Sequence, residues 1–390
     1  MIMKKFFFFA AIAAIGLASC SNDETIASQA TSESNAISFR PLVNNVTRAT
    51  DITATTLQGS GFTVFATEGT DFSKIYFNET SFTYDGGTYT SATKYYWPSS
   101  GTLDFYAYAY NGADGQVTHT AQTKAFTVTP ASAAASQTDL VFANTNGKSK
   151  EGTYGASSEY KYGANGVPLN FRHAESKVTV MLKNSSTSLK VTVADVAIGY
   201  LNTTGTYTYS GSTTNTDTDL DHTGEYLKFA DWTAKSGTES YTQTASTTEY
   251  TSATAATALP ASFILIPQAL TVATEYSGTT ARVGDTPGSP FNGAFITVQL
   301  KIQNKDNNAY IVGAATGDNQ YVTALWPLPA GTWNPGYHYT YTVDLAGGGY
   351  YPDNHDENVD LDPILEGAEI KFVSVTVDAW ADGGNTDVTN

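Results

Sequence analysis

The sequence runs to 390 residues with 37 acidic against 20 basic side chains, a formal net charge of -17. That balance excludes a phosphate backbone as the main partner, because nucleic-acid affinity comes from clustered Lys and Arg that displace counterions. Only 15% of residues are charged while Tyr (25) and Phe (19) are abundant, and the single cysteine excludes any disulfide within the chain, so an all-β protein held by ordinary hydrophobic cores is predicted.

The first element is an export signal. Lys4 and Lys5 precede an apolar run over residues 6–17 and a small-residue box, Leu17-Ala18-Ser19-Cys20. A basic start, a short apolar run and such a box define a secretory signal, and the run is too short to span a bilayer as a mature helix. Because Cys20 would become the first residue after cleavage, the segment resembles a bacterial lipoprotein signal, in which that thiol is acylated and the protein tethered to a membrane. Residues 1–19 are therefore expected to be removed and Cys20 lipidated. The acidic run Ser21-Asn22-Asp23-Glu24 looks like the tag that sends lipoproteins of Bacteroidetes-type bacteria to the outer face of the outer membrane. Residues 20–35 show no apolar periodicity and read as a flexible leader.

From residue 36 onward, period-2 segments dominate. Leu103, Phe105, Ala107 and Ala109 alternate with Asp104, Tyr106, Tyr108 and Tyr110. Val178, Val180 and Leu182 alternate with Thr179 and Met181, Ile296, Val298, Leu300 and Ile302 with Thr297, Gln299 and Lys301, and Tyr339, Tyr341, Val343 and Leu345 with Thr340, Thr342 and Asp344. Turn signals such as Asp85-Gly86-Gly87, Asn165-Gly166 and Asn334-Pro335-Gly336 join them, and no sustained helical stripe is found, so β-sandwiches are predicted. A polar, turn-rich stretch over residues 145–166 divides two strand-dense regions, giving expected domains at 36–165 and 166–390. The Thr/Ser/Gly-rich stretches 201–225 and 233–257 read as surface loops or extended hairpins.

Chemistry has little purchase in this sequence. Asp217-Thr218-Asp219-Leu220-Asp221 begins like a calcium loop, but His222 and Lys228 occupy the positions that need Gly and Glu. Asp353, Asp356, Glu357, Asp360 and Asp362 form a denser cluster that reads as a loose oxygen-ligand site or a self-repelling loop. The five histidines show no paired metal spacing, and Cys20 is committed to lipid, so neither a metal site, a cofactor nor an enzyme is expected. His173 reads as a hydrogen-bonded structural residue, and Trp97, Trp326, Trp333 and Trp380 as core or strand-end packing.

A family resemblance runs through the whole chain in order. Ile37-Ser38-Phe39, Thr47-Arg48-Ala49, Phe62-Thr63-Val64-Phe65-Ala66, Tyr96-Trp97-Pro98, Phe105-Tyr106-Ala107-Tyr108, Thr138-Asp139-Leu140-Val141-Phe142-Ala143, Leu169-Asn170-Phe171-Arg172-His173-Ala174, Ile266-Pro267-Gln268, Trp333-Asn334-Pro335-Gly336-Tyr337 and Val375-Thr376-Val377-Asp378-Ala379-Trp380 together resemble the fimbrillin family, the lipoprotein-precursor pilus subunits of Bacteroidetes. The resemblance implies two tandem transthyretin-like, Greek-key β-sandwich domains. It also implies surface export, removal of a leader and its first strand by an arginine-specific protease, and assembly with other fimbrial subunits by strand exchange.

Between Cys20 and Lys74 the basic residues are Arg40 and Arg48, and Arg40 precedes Pro41, whose ring makes a poor scissile bond. Cleavage is therefore expected after Arg48, leaving Ala49 first. The strand displaced would carry Ile37, Phe39, Leu42, Val43 and Val46, and residues 37–46 read as an edge strand. The candidate donor strand carries Ile370, Phe372, Val375, Val377 and Trp380. Such a subunit would hold the outer membrane through its lipid and support adhesion to a host or bacterial surface glycan or protein. Two rivals are a non-polymerising anchor or tip subunit of the same pilus and a glycan-binding surface lipoprotein; a glycosidase stands further off.

Overall fold

The computed structural model describes residues 36–42, 51–69, 73–111, 115–119, 125–153, 161–209, 230–235, 239–251, 255–270, 293–351, 363–366 and 372–379. The first strand-dense region comprises β1 (Phe39–Leu42), α1 (Ala54–Ser60), β2 (Phe62–Glu68), β3 (Ile75–Asp85), β4 (Thr88–Thr90), β5 (Leu103–Tyr110), β6 (Val117–His119), β7 (Ala125–Val128), β8 (Leu140–Lys148), α2 (Tyr162–Asn165), β9 (Val167–Asn170) and β10 (Arg172–His173). The second comprises β11 (Ser176–Lys183), β12 (Leu189–Leu201), β13 (Thr204–Tyr209), β14 (Ala230–Lys235), β15 (Glu239–Thr251), β16 (Thr257–Ala258), β17 (Phe263–Leu265), β18 (Ala269–Leu270), β19 (Phe295–Asn304), β20 (Tyr310–Val312), β21 (Val322–Pro327), β22 (Gly331–Thr332), β23 (Tyr337–Asp344) and β24 (Phe372–Ala379). The four alternating segments singled out in the sequence are β5, β11, β19 and β23, and the protein is an all-β sandwich fold.

In the first region eight strands pair in the order β10-β8-β5-β2-β3-β4-β1-β9. The two ends of this sheet, β9 and β10, are separated in the chain by Phe171 alone, so one short run of backbone joins both ends. Along β3 the pairing changes from β2 to β4, and that strand serves both layers of the sandwich. The enclosed core contains Phe39, Phe62, Phe77, Phe82, Phe105, Leu169 and Phe171.

Here the structure corrects the sequence reading of residues 37–46 as an edge strand. β1 is bonded on both sides, to β9 in parallel from Phe39↔Val167 to Leu42↔Asn170 and to β4 at Phe39↔Tyr89. Period-2 alternation is the same for edge and interior strands, so nothing local could have separated the two.

In the second region β16-β11-β23-β24, with β17 on β11, faces β15-β12-β19-β20, with β21 on β19. Val178, Val180, Tyr339 and Tyr341 from one sheet meet Val191, Val196, Ile296 and Leu300 from the other in one core. A register shift in β12 between Val193 and Asp195 inserts one extra residue. Val193 and Val196, which strict alternation would put on opposite faces, are both fully buried as a result. Trp97, Trp326 and Trp333 are buried, as the packing reading predicts.

A third cluster links the two regions. The four-stranded sheet β14-β13-β7-β6 draws strands from both sides of the division expected near residue 166, with Tyr207 of β13 opposite Phe126 of β7. Phe65, Tyr106, Phe126, Phe142, Tyr207 and Tyr209 pack together there. β5 is consequently buried on both faces, with Leu103, Phe105 and Ala107 in the first core and Tyr106 and Tyr108 in the third. Burial pushes the Tyr108 phenol up to about 12, with the Glu79 charge adding to it, and burial also holds the Tyr209 phenol well above its usual range. The Tyr209 hydroxyl donates to the Ala107 carbonyl at 2.7 Å, tying the layers together.

Candidate functional site

The site begins with β1, which lies between β4 and β9 in the eight-stranded sheet. Phe39 is fully buried and its ring meets Phe82 at 4.7 Å, Phe105 at 5.0 Å and Phe62 at 6.2 Å, all edge-on. Edge-to-face geometry of this kind adds to the area term that already favours a buried phenyl ring. Ile37, also buried, donates its N–H to the Tyr95 carbonyl at 2.7 Å, while the Ser38 carbonyl accepts from Val167 N at 2.8 Å. Gly166 makes this approach feasible. Its φ of 82° lies in the left-handed region reserved largely for glycine, and a Cβ there would stand 3.1 Å from the Phe39 carbonyl carbon.

Without β1, β4 and β9 would face one another across two strand spacings, roughly 9–10 Å. Backbone N–H and C=O groups on both flanks would lose their partners, and the pocket of Phe39 would stand open. Such a gap is matched by one extended strand.

The chain re-enters at Asp51 beside a buried set of charged groups. Ile52 N donates to Asp139 Oδ2 at 2.7 Å, and Asp139 Oδ1 pairs with His173 Nδ1 at 2.8 Å. The Lys177 ammonium forms an ion pair with Asp51 Oδ2. Leu140 N donates to Glu175 Oε2 at 2.8 Å. Asp51, Asp139, Arg172, His173, Glu175 and Lys177 are all buried. His173 is thus a hydrogen-bonded structural residue, as read from the sequence. Local pattern shows none of the rest, because Asp51 and Lys177 are far apart in the chain and meet only in the folded structure.

Burial, with the Asp139 charge beside it, holds the Glu175 carboxyl well above the usual carboxylate range, and the Leu140 N–H only partly offsets this. A carboxyl raised on folding leaves the fold most stable below the ordinary carboxylate value, with stability lost as pH rises from there through the folded-state value. Within that interval the loss approaches about 1.4 kcal/mol per pH unit. Glu175→Gln keeps an acceptor for Leu140 N and removes the titration, while Asp139, His173, Asp51, Lys177 and Arg172 remain around it. The variant should therefore show a higher denaturant midpoint than the parent at pH 7 and a flatter profile from pH 4 to 8. Identical profiles for the two proteins would contradict an important role for this carboxyl.

Of the residues predicted from sequence, Ile37, Phe39 and Leu42 lie in or against β1, and Phe372, Val375 and Val377 lie in β24, which among the described strands ends its sheet beside β23. Val375 and Val377 pack against the second core. Cys20, Val43, Val46, Arg48, Ala49, Ile370 and Trp380 fall outside the described residues, as do both acidic runs, 217–221 and 353–362. Among the described residues no group of three or more His, Cys, Asp or Glu side chains is placed to hold a metal ion. Sequence reasoning missed α1, seven capped residues or about two turns, in which Thr56 N donates to Thr53 Oγ1 at 3.2 Å and Leu57 is fully buried.

Similarity to known proteins follows the same span. No curated protein matches the chain. Among solved structures it is similar to a fimbrilin from Porphyromonas gingivalis, at 11% identity over 90% of this chain and 98% of that one, with a TM-score of 0.39. It is also similar to candidate cell adhesion proteins from Bacteroides uniformis (16% identity, 89% and 99% covered, TM-score 0.41) and Parabacteroides distasonis (10% identity, 92% and 98% covered, TM-score 0.44). These overlaps are loose, and the assignment rests on sequence. The family model described as Fimbrillin-like matches residues 47–380, most of the chain, which therefore belongs to the fimbrillin-like family.

Proposed function

We propose that the chain is a structural subunit of a cell-surface fimbria that supports adhesion. It is exported as a lipoprotein precursor acylated on Cys20, held at the outer membrane, cut after Arg48, and joined to other subunits by strand exchange. The domain division near residue 166 belongs to the same reading. The observation that carries it is the placement of β1: a short strand upstream of Arg48, bonded on both sides and seated by Phe39 in an aromatic pocket. Its removal would open a strand-shaped gap, the complement of an incoming extended segment. The Asp51–Lys177 pair and the Ile52–Asp139 hydrogen bond lie just after Arg48, so they would hold the new terminus while β1 leaves. Head-to-tail strand addition does not close on itself and yields filaments.

Treatment of the purified, non-lipidated precursor with an arginine-specific protease tests this. The expected result is a new terminus at Ala49 and a ladder of oligomers that resists denaturant on an unboiled gel. A cut at Arg48 that leaves a stable monomer would instead indicate a cap or anchor, and resistance to cleavage would contradict the maturation step.

A further inference from the structure

The buried pair at Lys177 and Asp51 sets an amine against a carboxyl, the two reactants of an amide. The Lys177 side chain is 4% exposed and that of Asp51 0%, with Lys177 Nζ in contact with Asp51 Oδ2. Both sit on fixed backbone. Lys177 lies in β11, paired with Ile264 of β17 on one side and His338 of β23 on the other. The Asp51 carbonyl accepts from Thr56 Oγ1 at 3.4 Å, and the next residue, Ile52, donates its N–H to Asp139 Oδ2. Reactants fixed in contact gain a high effective concentration, and a site closed to water keeps out the molecule that would hydrolyse the product.

A third group completes the site. Glu175 immediately precedes β11, two residues before Lys177, and lies beside Asp139, the carboxylate that holds Ile52. Its Oε2 accepts from Leu140 N, while Oε1 is buried and makes no hydrogen bond among the described residues. Burial keeps this carboxyl protonated further up the pH scale than an ordinary glutamate. A neutral carboxyl takes a proton at one oxygen and gives one from the other, as a proton carrier must.

We propose that Lys177 and Asp51 condense into an intramolecular amide once the chain has folded, with Glu175 carrying protons. The ion pair is the state that folding first produces, and the amide is its product. A proton passes from the ammonium to the carboxylate, leaving a neutral amine beside a neutral acid. The Nζ lone pair attacks Asp51 Cγ, a C–N bond forms, and one Cγ–O bond breaks. The departing oxygen leaves as water with both protons of the original ammonium, one of them routed through Glu175, which ends as it began. No oxidant or co-reactant is needed. Two buried charges vanish, and their desolvation cost with them. The link joins positions 126 residues apart in a chain whose single cysteine excludes an internal disulfide. It stands independently of the strand-exchange reading.

The test is a tryptic digest of the denatured, non-lipidated precursor read by mass spectrometry. The expected product is residues 49–74 joined to residues 173–183, one water lighter than the two peptides together, because an acylated Lys177 is no longer a cleavage site. Separate, unmodified peptides ending at Lys74 and Lys177 would overturn the bond. So would a water loss confined to one unbranched peptide, which would mark a succinimide at an aspartate. Lys177→Arg keeps the charge without an amine that condenses, and the branched product should be absent from it; persistence would place the bond elsewhere. In newly synthesised protein, Glu175→Gln should form the branched product at least about tenfold more slowly than the parent. An equal rate would overturn the part given to Glu175.

Discussion

Phe39→Ala is expected to destabilise the uncut chain by about 3–5 kcal/mol, the usual cost of deleting a fully buried phenyl ring from a packed core. The ring has three aromatic neighbours on adjacent strands, Phe62 on β2, Phe82 on β3 and Phe105 on β5, and is fully buried among them. The denaturant midpoint should fall without change in the slope, since the surface exposed on unfolding is nearly the same. After cleavage behind Arg48 the substituted residue is gone. Cut parent and cut variant then have the same sequence from Ala49 onward and should be indistinguishable, and the precursor of the variant should release its leader segment more readily. A fall in stability that persists in the cut protein would show that residues 37–42 stay bound and would contradict the displaced-strand reading.

How much of this was legible in the sequence varied with the range of the interaction. β5, β11, β19 and β23 were plain because period-2 alternation is a local property, and the burial of Trp97, Trp326 and Trp333 followed from residue type. β1 was found as a strand but misplaced at an edge, because its neighbours β4 and β9 are set by pairings that span much of the chain. The same limit hid the parallel pairing of β11 with β23. Tyr106 and Tyr108 fall on the other phase of the alternation in β5, and alternation alone did not show that a sheet assembled from β6, β7, β13 and β14 covers them. α1 escaped because Leu57, the one buried side chain among its described residues, makes no stripe.

The candidate site divided along the same line. Arg48 and the apolar pattern around Phe39 could be read directly, but the features on which the proposed displacement of β1 rests are tertiary: bonds on both flanks, the glycine floor at Gly166, and the charged groups behind Asp51. Those groups also give the site a mechanical logic. A strand exchange requires one segment to leave while its neighbour in sequence stays, so contacts after the cut must be stronger than those before it. Buried charge pairs suit that role, since withdrawing either partner exposes the fold to the full cost of the other.

Lys177→Ala is the substitution that measures this anchor. Removing the ammonium leaves the Asp51 carboxylate buried without its countercharge, and breaking a buried pair from one side costs about 3–5 kcal/mol. Asp51→Asn combined with Lys177→Met removes both charges and should recover most of the loss, because an apolar or neutral pair of similar volume is often no less stable than the ions it replaces. Unlike Phe39→Ala, this loss should appear in the uncut and the cut protein alike, because Asp51 lies after Arg48 and remains in the chain. The two substitutions together therefore locate the cut by stability alone: a phenylalanine whose effect vanishes on maturation, and a lysine whose effect does not. If the Lys177→Ala deficit disappeared after cleavage, the new terminus would lie beyond Asp51, and processing at Arg48 would be contradicted.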